Sequence, residues 1–250
     1  MADLMRTSNP ALNEKIFQGE HTIAGDVMTL QGTVNKTGVL LICAIATAAW
    51  TWNLFLHSRS PQTVMPLALL GLIGGLIFAV ITIFKKTWAG VTAPIYALLE
   101  GLVLGSVSAM FELRYPGIAI QAVSLTFGTL LVLLLAYRSG LIPVTEKFRL
   151  GVVAATGGIA LFYLATIVLG FFGIHFTTIN GSGPIGIAFS GFVVVIAALN
   201  LVLDFDFIES GVAAGAPKYM EWYAGFGLMV TLIWLYLEIL RLLSKLRSRD

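Results

Sequence analysis

Acids set inside apolar runs are the residues of this chain that could do chemistry. In Leu199-Asn200-Leu201-Val202-Leu203-Asp204-Phe205-Asp206-Phe207-Ile208-Glu209, two aspartates appear before a long hydrophobic run has ended. Glu238 stands within Trp234-Leu235-Tyr236-Leu237-Glu238-Ile239-Leu240-Arg241, and Glu100 within Leu98-Leu99-Glu100-Gly101-Leu102. An ionised side chain inside a membrane span is costly and by default marks an ion or proton pathway. Two acids brought close together cannot both stay ionised cheaply, so they titrate as a pair. Asp204 and Glu238 are the candidates for such a pair.

Each acid also has a plainer reading. Glu100 could be a neutral acid hydrogen-bonded to a neighbouring helix, part of an ion pathway, or exposed to lipid. Asp204 could be a solvated carboxylate at a helix end. Asn200, one turn earlier, shares its face, and a polar Asn200–Asp204 ridge belongs inside a bundle rather than against lipid. Asp206 is two residues on, so it points to nearly the opposite side of the helix, and it shares an interfacial face with Glu209. Glu238 has Arg241 three residues further on, which suits a local ion pair. Lys85 and Lys86 close a span on the side where Asp204 lies. They are either ordinary interfacial anchors or a latch onto Asp204.

The elements that must position these acids are membrane helices. Of the 250 residues, 58% are hydrophobic and 11% charged, where soluble domains carry about 25% charged residues. The chain is an integral membrane protein. No basic stripe is long enough for a nucleic-acid surface. The single Cys43 lies in the first apolar run and reads as a small buried hydrophobe. Crossing the hydrocarbon takes about 20 apolar residues per helix. Apolar runs of that kind occur at Thr37–His57, Val64–Phe84, Val91–Phe111, Gly117–Tyr137, Leu150–Gly173, Pro184–Ile208 and Trp222–Leu243. The expected division is a polar N-terminal tail over 1–36, a seven-helix transmembrane domain over 37–245 and a basic tail over 246–250. The tail lacks an apolar core, so the first span is expected to be its own insertion signal.

Short loops punctuated by Gly and Pro make neighbouring spans antiparallel. The longest polar connection near the end runs from Ser210 to Glu221. Arg6, Lys15, Lys36, Lys85, Lys86, Arg138, Lys147, Arg149 and Lys218 gather on one side, against Arg59 and Arg114 on the other. The positive-inside rule then puts the N-terminus in the cytoplasm. Arg241, Lys245, Arg247 and Arg249 oppose this if all seven runs cross. Gly71/Gly75 and Gly101/Gly105 have the spacing that lets membrane helices approach closely. Enzyme signatures are lacking: neither Ser182 nor Ser190 stands in a GxSG motif, and His21, His57 and His175 lack metal-ligand spacing. No enzyme activity and no bound cofactor are expected.

The chain resembles the Bax inhibitor-1 family, in its bacterial YccA-like branch. The resemblance rests on the stretch Met28 to Gly38, on Ala48-Ala49-Trp50-Thr51-Trp52, on Leu99-Glu100-Gly101 and on Leu203-Asp204-Phe205-Asp206. Two late stretches complete it, Ala216-Pro217-Lys218-Tyr219-Met220-Glu221-Trp222-Tyr223 and Leu235-Tyr236-Leu237-Glu238. It implies an all-α bundle of seven transmembrane helices with a central last helix. It further implies a pH-sensitive calcium leak governed by an acidic pair on helices six and seven, at positions that match Asp204 and Glu238, with a basic latch matched by Lys85 or Lys86. This sequence has Glu where the family has Asp on the seventh helix, and a longer connection between the two acids.

The function expected is therefore a pH-gated calcium leak in the cell's inner (plasma) membrane, in contact with the bilayer and with calcium or protons. The alternative is a non-conducting membrane adaptor that binds a membrane protease or another membrane protein. The rise of 1.5 Å per residue puts Asp204 roughly 10 Å to one side of its helix centre and Glu238 roughly 7 Å to the other side of its own. Contact between them therefore requires the last helix to start deeper or to be displaced inward. A reporter fused after Arg138 should read cytoplasmic and one fused after Asp250 external. A cytoplasmic reading at the C-terminus would contradict seven crossings.

Overall fold

The computed structural model describes residues 27–173, 179 and 181–248. Arg6, Lys15, His21, Gly25, His175 and Arg249 lie outside the described residues. Seven helices among those described are long and apolar enough to cross a membrane. They are α1 (Leu30–Ser58), α2 (Pro61–Phe84), α3 (Ala89–Arg114), α4 (Ile118–Arg138), α5 (Glu146–Phe171), α6 (Pro184–Ala213) and α7 (Met220–Arg247), with a 3-10 turn at Lys86–Trp88 before α3. The fold is all-α and polytopic. In lipid this follows from the backbone, whose polar groups a helix satisfies within itself. The last helix is the most enclosed, with 56% of its apolar window buried against 11% for α5.

Helices reach further than the apolar runs that signal them. The first begins at Leu30 rather than Thr37, because the Thr29 hydroxyl accepts the Gly32 N–H at 3.0 Å and caps it there. Gln31, Asn35 and Lys36 thus become helical, although hydropathy excludes them. Helix α6 runs on to Ala213, five residues past the expected Ile208, and α7 starts at Met220. The long polar connection between them shrinks to 214–219, where Gly215 takes a left-handed φ of 66° that a side chain would strain. Glu112 closes the α3–α4 turn by accepting the Gly117 and Ala119 N–H groups.

The chain forms two compact units. One holds α1 to α3, the end of α6 from Asp206 and the start of α7 to Val230. Its helices meet at glycines. A Cβ on Gly101 would lie 2.2 Å from the Ala44 carbonyl oxygen, one on Gly105 2.2 Å from that of Ala48, and one on Gly71 2.4 Å from that of Leu99. Both GxxxG pairs are therefore contact faces, Gly101/Gly105 against α1 and Gly71/Gly75 against α3. The Thr47 hydroxyl donates across the first contact to the Leu98 carbonyl at 2.8 Å.

The other unit holds most of α4, all of α5, α6 up to Phe205 and α7 from Thr231. Its core is Ile159, Val193 and Ile196, with Tyr163, Phe189, Leu199 and Trp234 packed around them. At the far end of α7 the buried Lys245 donates to the carbonyls of Ile179 and Gly186, at 2.9 and 3.0 Å. This ties the helix end to the connection that precedes α6.

These contacts set opposite expectations for two glycine substitutions. Gly101→Ala should cost about 1–3 kcal/mol, because the added carbon would meet the Ala44 backbone carbonyl of α1 as well as the Thr47 hydroxyl. Gly128→Ala, with nothing within 4 Å of the added carbon, should be neutral or stabilise by up to about 1 kcal/mol. Thermal unfolding of the purified chain in detergent would measure both.

Candidate functional site

In the unit built on α4 to α7, polar side chains face one another inside the helices. Asp204, on α6, is 2% exposed. The Thr231 side chain of α7 makes a hydrogen bond to its carboxyl. Its Oδ2 is buried and has no hydrogen-bond partner. Asn200, one turn earlier on α6, donates from Nδ2 to the Thr156 hydroxyl of α5 and to the Ile196 carbonyl, both at 2.8 Å. The expected Asn200–Asp204 ridge is thus interior, and α5 and α7 add hydroxyls to it.

Glu238 is equally buried but fully answered. Tyr163 of α5 donates its hydroxyl to Oε1 at 2.9 Å. Arg241 Nη1 donates to Oε1 and Oε2 at 3.1 and 3.4 Å, and to the Tyr163 hydroxyl at 2.6 Å. The guanidinium also lies 5.0 Å from the Tyr163 ring centroid, within the range of a cation–π contact. The Glu238 side chain is 3% exposed and that of Arg241 46%, so the carboxylate is enclosed and its cation lies towards the outside. Thr231 precedes Glu238 by about two turns, so Glu238 lies roughly 10 Å further along α7 than the level of Asp204. Asp204 and Glu238 share the unit and the α6–α7 helix pair, but each has its own partners.

The remaining sequence candidates belong to the other unit. Glu100 is half-buried on α3, beside Gly75 of α2. Asp206 is half-buried and Glu209 exposed. Lys85 is exposed, while the Lys86 ammonium lies 5.8 Å from the Tyr223 ring centroid. Among the described residues no group of three or more His, Cys, Asp or Glu side chains is placed to hold a metal ion.

One polar cluster in this unit has no counterpart among the sequence candidates. Glu221, fully buried at the start of α7, accepts the Thr29 N–H and hydroxyl through Oε1, both at 2.9 Å. Its Oε2 is paired with the Lys36 ammonium, which also lies 5.7 Å from the Trp222 ring centroid. The Met28 N–H donates to the Ala216 carbonyl at 2.6 Å. Gly32 leaves the space, since a Cβ there would lie 2.1 Å from Glu221 Oε1. The early stretch Met28–Gly38 and the late stretch Ala216–Tyr223, both distinctive in the sequence, are therefore the two halves of one contact. Each opens an odd-numbered span, α1 or α7, and the starts of odd-numbered spans fall on the same side of a membrane. Tyr163 left no signal in the sequence, because a tyrosine in an apolar run is ordinary.

The sequence profile of the family described as Bax inhibitor 1 like matches residues 9–248. No curated protein and no solved structure matches the chain.

Removing one partner of a buried ion pair leaves the other unpaired. Glu221→Ala should therefore destabilise by about 3–5 kcal/mol, while Lys85→Ala, at an exposed lysine, should stay within about 0.5 kcal/mol. Thermal unfolding in detergent checks both. Equal, small effects would show that the Glu221 cluster holds nothing together.

Proposed function

Because the chain belongs to the Bax inhibitor 1 like family, we propose that it is a pH-sensitive calcium leak whose gate is formed by carboxylates on α6 and α7. The observation that carries this reading is Asp204, a buried carboxyl with one oxygen on Thr231 and the other unclaimed. Calcium binds through oxygen, and the Thr156 and Thr231 hydroxyls together with the Asn200 amide line the same interior. Glu238 is the second carboxylate on the path. Arg241 occupies it as a tethered cation, so a passing ion must compete with the guanidinium there.

At roughly 10 Å and an effective dielectric of about 20, two ionised carboxylates repel by about 1.7 kcal/mol. That is enough for protonation of one to be felt by the other, so pH sets the charge along the path. In this reading the membrane is the cell's inner (plasma) membrane, the N-terminus is cytoplasmic and no enzymatic step is involved.

The test is calcium entry into liposomes that hold only this protein, measured across pH. Asp204→Asn and Glu238→Gln should each flatten the pH dependence, and the double variant should change it by less than the sum of the two. Fully additive effects, or unchanged profiles in both singles, would overturn the gate. No calcium entry in the unaltered chain would favour the other reading, an adaptor that binds a membrane protease or another membrane protein.

A further inference from the structure

Helix α3 carries a carboxyl that the proposed gate does not use. Glu100 stands near the middle of Ala89–Arg114, half-buried, and among the described residues its carboxyl makes no hydrogen bond or ion pair. Its Oε1 lies 2.9 Å from where a Cβ on Gly75 would be. The carboxyl thus rests on bare backbone of α2, in a notch that glycine alone leaves open. Helix α2 has no ionisable residue from Pro61 to Phe84. Across the contact with α1 stands Thr47, whose hydroxyl is engaged by Leu98, with Cys43 one turn away; the other ionisable residues of that helix, Lys36 and His57, lie towards its two ends. On α3 itself, Tyr96 is the titratable group that feels the charge of Glu100.

Leu72, Ile73, Leu76 and Ile77, around the notch on α2, are large, apolar and exposed, as a face turned to lipid is. A carboxyl placed so has no partner on the helices around it to support a charge, and an unpaired charge in hydrocarbon is expensive. We propose that Glu100 is an intramembrane proton-binding site reached from the lipid, separate from the carboxylates of α6 and α7. Its ligand is a proton, and the same protonated acid is a modification site for lipid-soluble carboxyl reagents.

A hydrophobic carbodiimide reads out such a site directly. The acid's proton passes to one carbodiimide nitrogen while the carboxyl oxygen adds to the central carbon. The resulting O-acylisourea shifts its acyl group to nitrogen, giving a stable N-acylurea with no leaving group. The full chain in liposomes is treated with dicyclohexylcarbodiimide or with a water-soluble carbodiimide, and the modified peptides are mapped by mass spectrometry. The expected result is that Glu100 gains the mass of one intact carbodiimide from the hydrophobic reagent, more slowly as the pH rises, and stays unmodified by the soluble one. In Gly75→Ala the added methyl displaces the end of the Glu100 side chain from its notch, and labelling should become severalfold faster. Absence of label on Glu100 would overturn the proposal. Equal labelling by the soluble reagent would overturn lipid access, and an unchanged rate in a folded Gly75→Ala chain would overturn the notch. If that variant fails to fold, the comparison of the two reagents on the unaltered chain decides.

Discussion

Inside hydrocarbon there is no water to answer a carboxylate or an ammonium, so the protein itself must supply every partner. The buried charges of this chain meet that constraint in different ways. Glu221 is saturated by Lys36 and by the Thr29 N–H and hydroxyl. Glu238 is held by Tyr163 and Arg241. Lys245 has no acid among its bonded partners and instead donates to two backbone carbonyls. Asp204 receives Thr231 on its carboxyl and keeps one oxygen open. The saturated groups fasten helix ends and neighbouring helices. The open one has capacity left for an ion.

Close approach of the helices is what makes such partnerships reachable. Gly101 and Gly105 bring α3 against the backbone of α1, and Gly71 brings α2 against α3. Gly32 does the same for a charge, since only a residue without a side chain lets Glu221 lie over the first turn of α1. Packing and electrostatics are therefore settled by the same small residues.

Much of this is legible in the sequence, and the physical reason for the remainder is plain. The seven spans follow from apolar length, and the glycine faces follow from a spacing of four. The Glu238–Arg241 pair is readable because its members are three residues apart on one helix. Helix ends are not readable from hydropathy, since Gln31, Lys36 and Glu209 are polar yet helical. The Lys36–Glu221 pair joins residues far apart in the chain, and no local pattern announces it. The question left open by spacing alone was whether Asp204 and Glu238 touch. The extension of α6 to Ala213 and the start of α7 at Met220 bring their levels closer than the apolar runs imply. Thr231 nevertheless stands where a touching acid would have to be.

The proposed gate therefore depends on the level at which Asp204 meets α7. In a chain with Cys43 replaced by Ser, paired cysteines at 204 and 231, and separately at 204 and 238, can be offered a short bifunctional thiol reagent. Rapid cross-linking is expected between 204 and 231 and little between 204 and 238, read as intramolecular bridging by mass spectrometry. Efficient cross-linking between 204 and 238 without the 204–231 product would contradict this placement, and would put the two acids in direct contact.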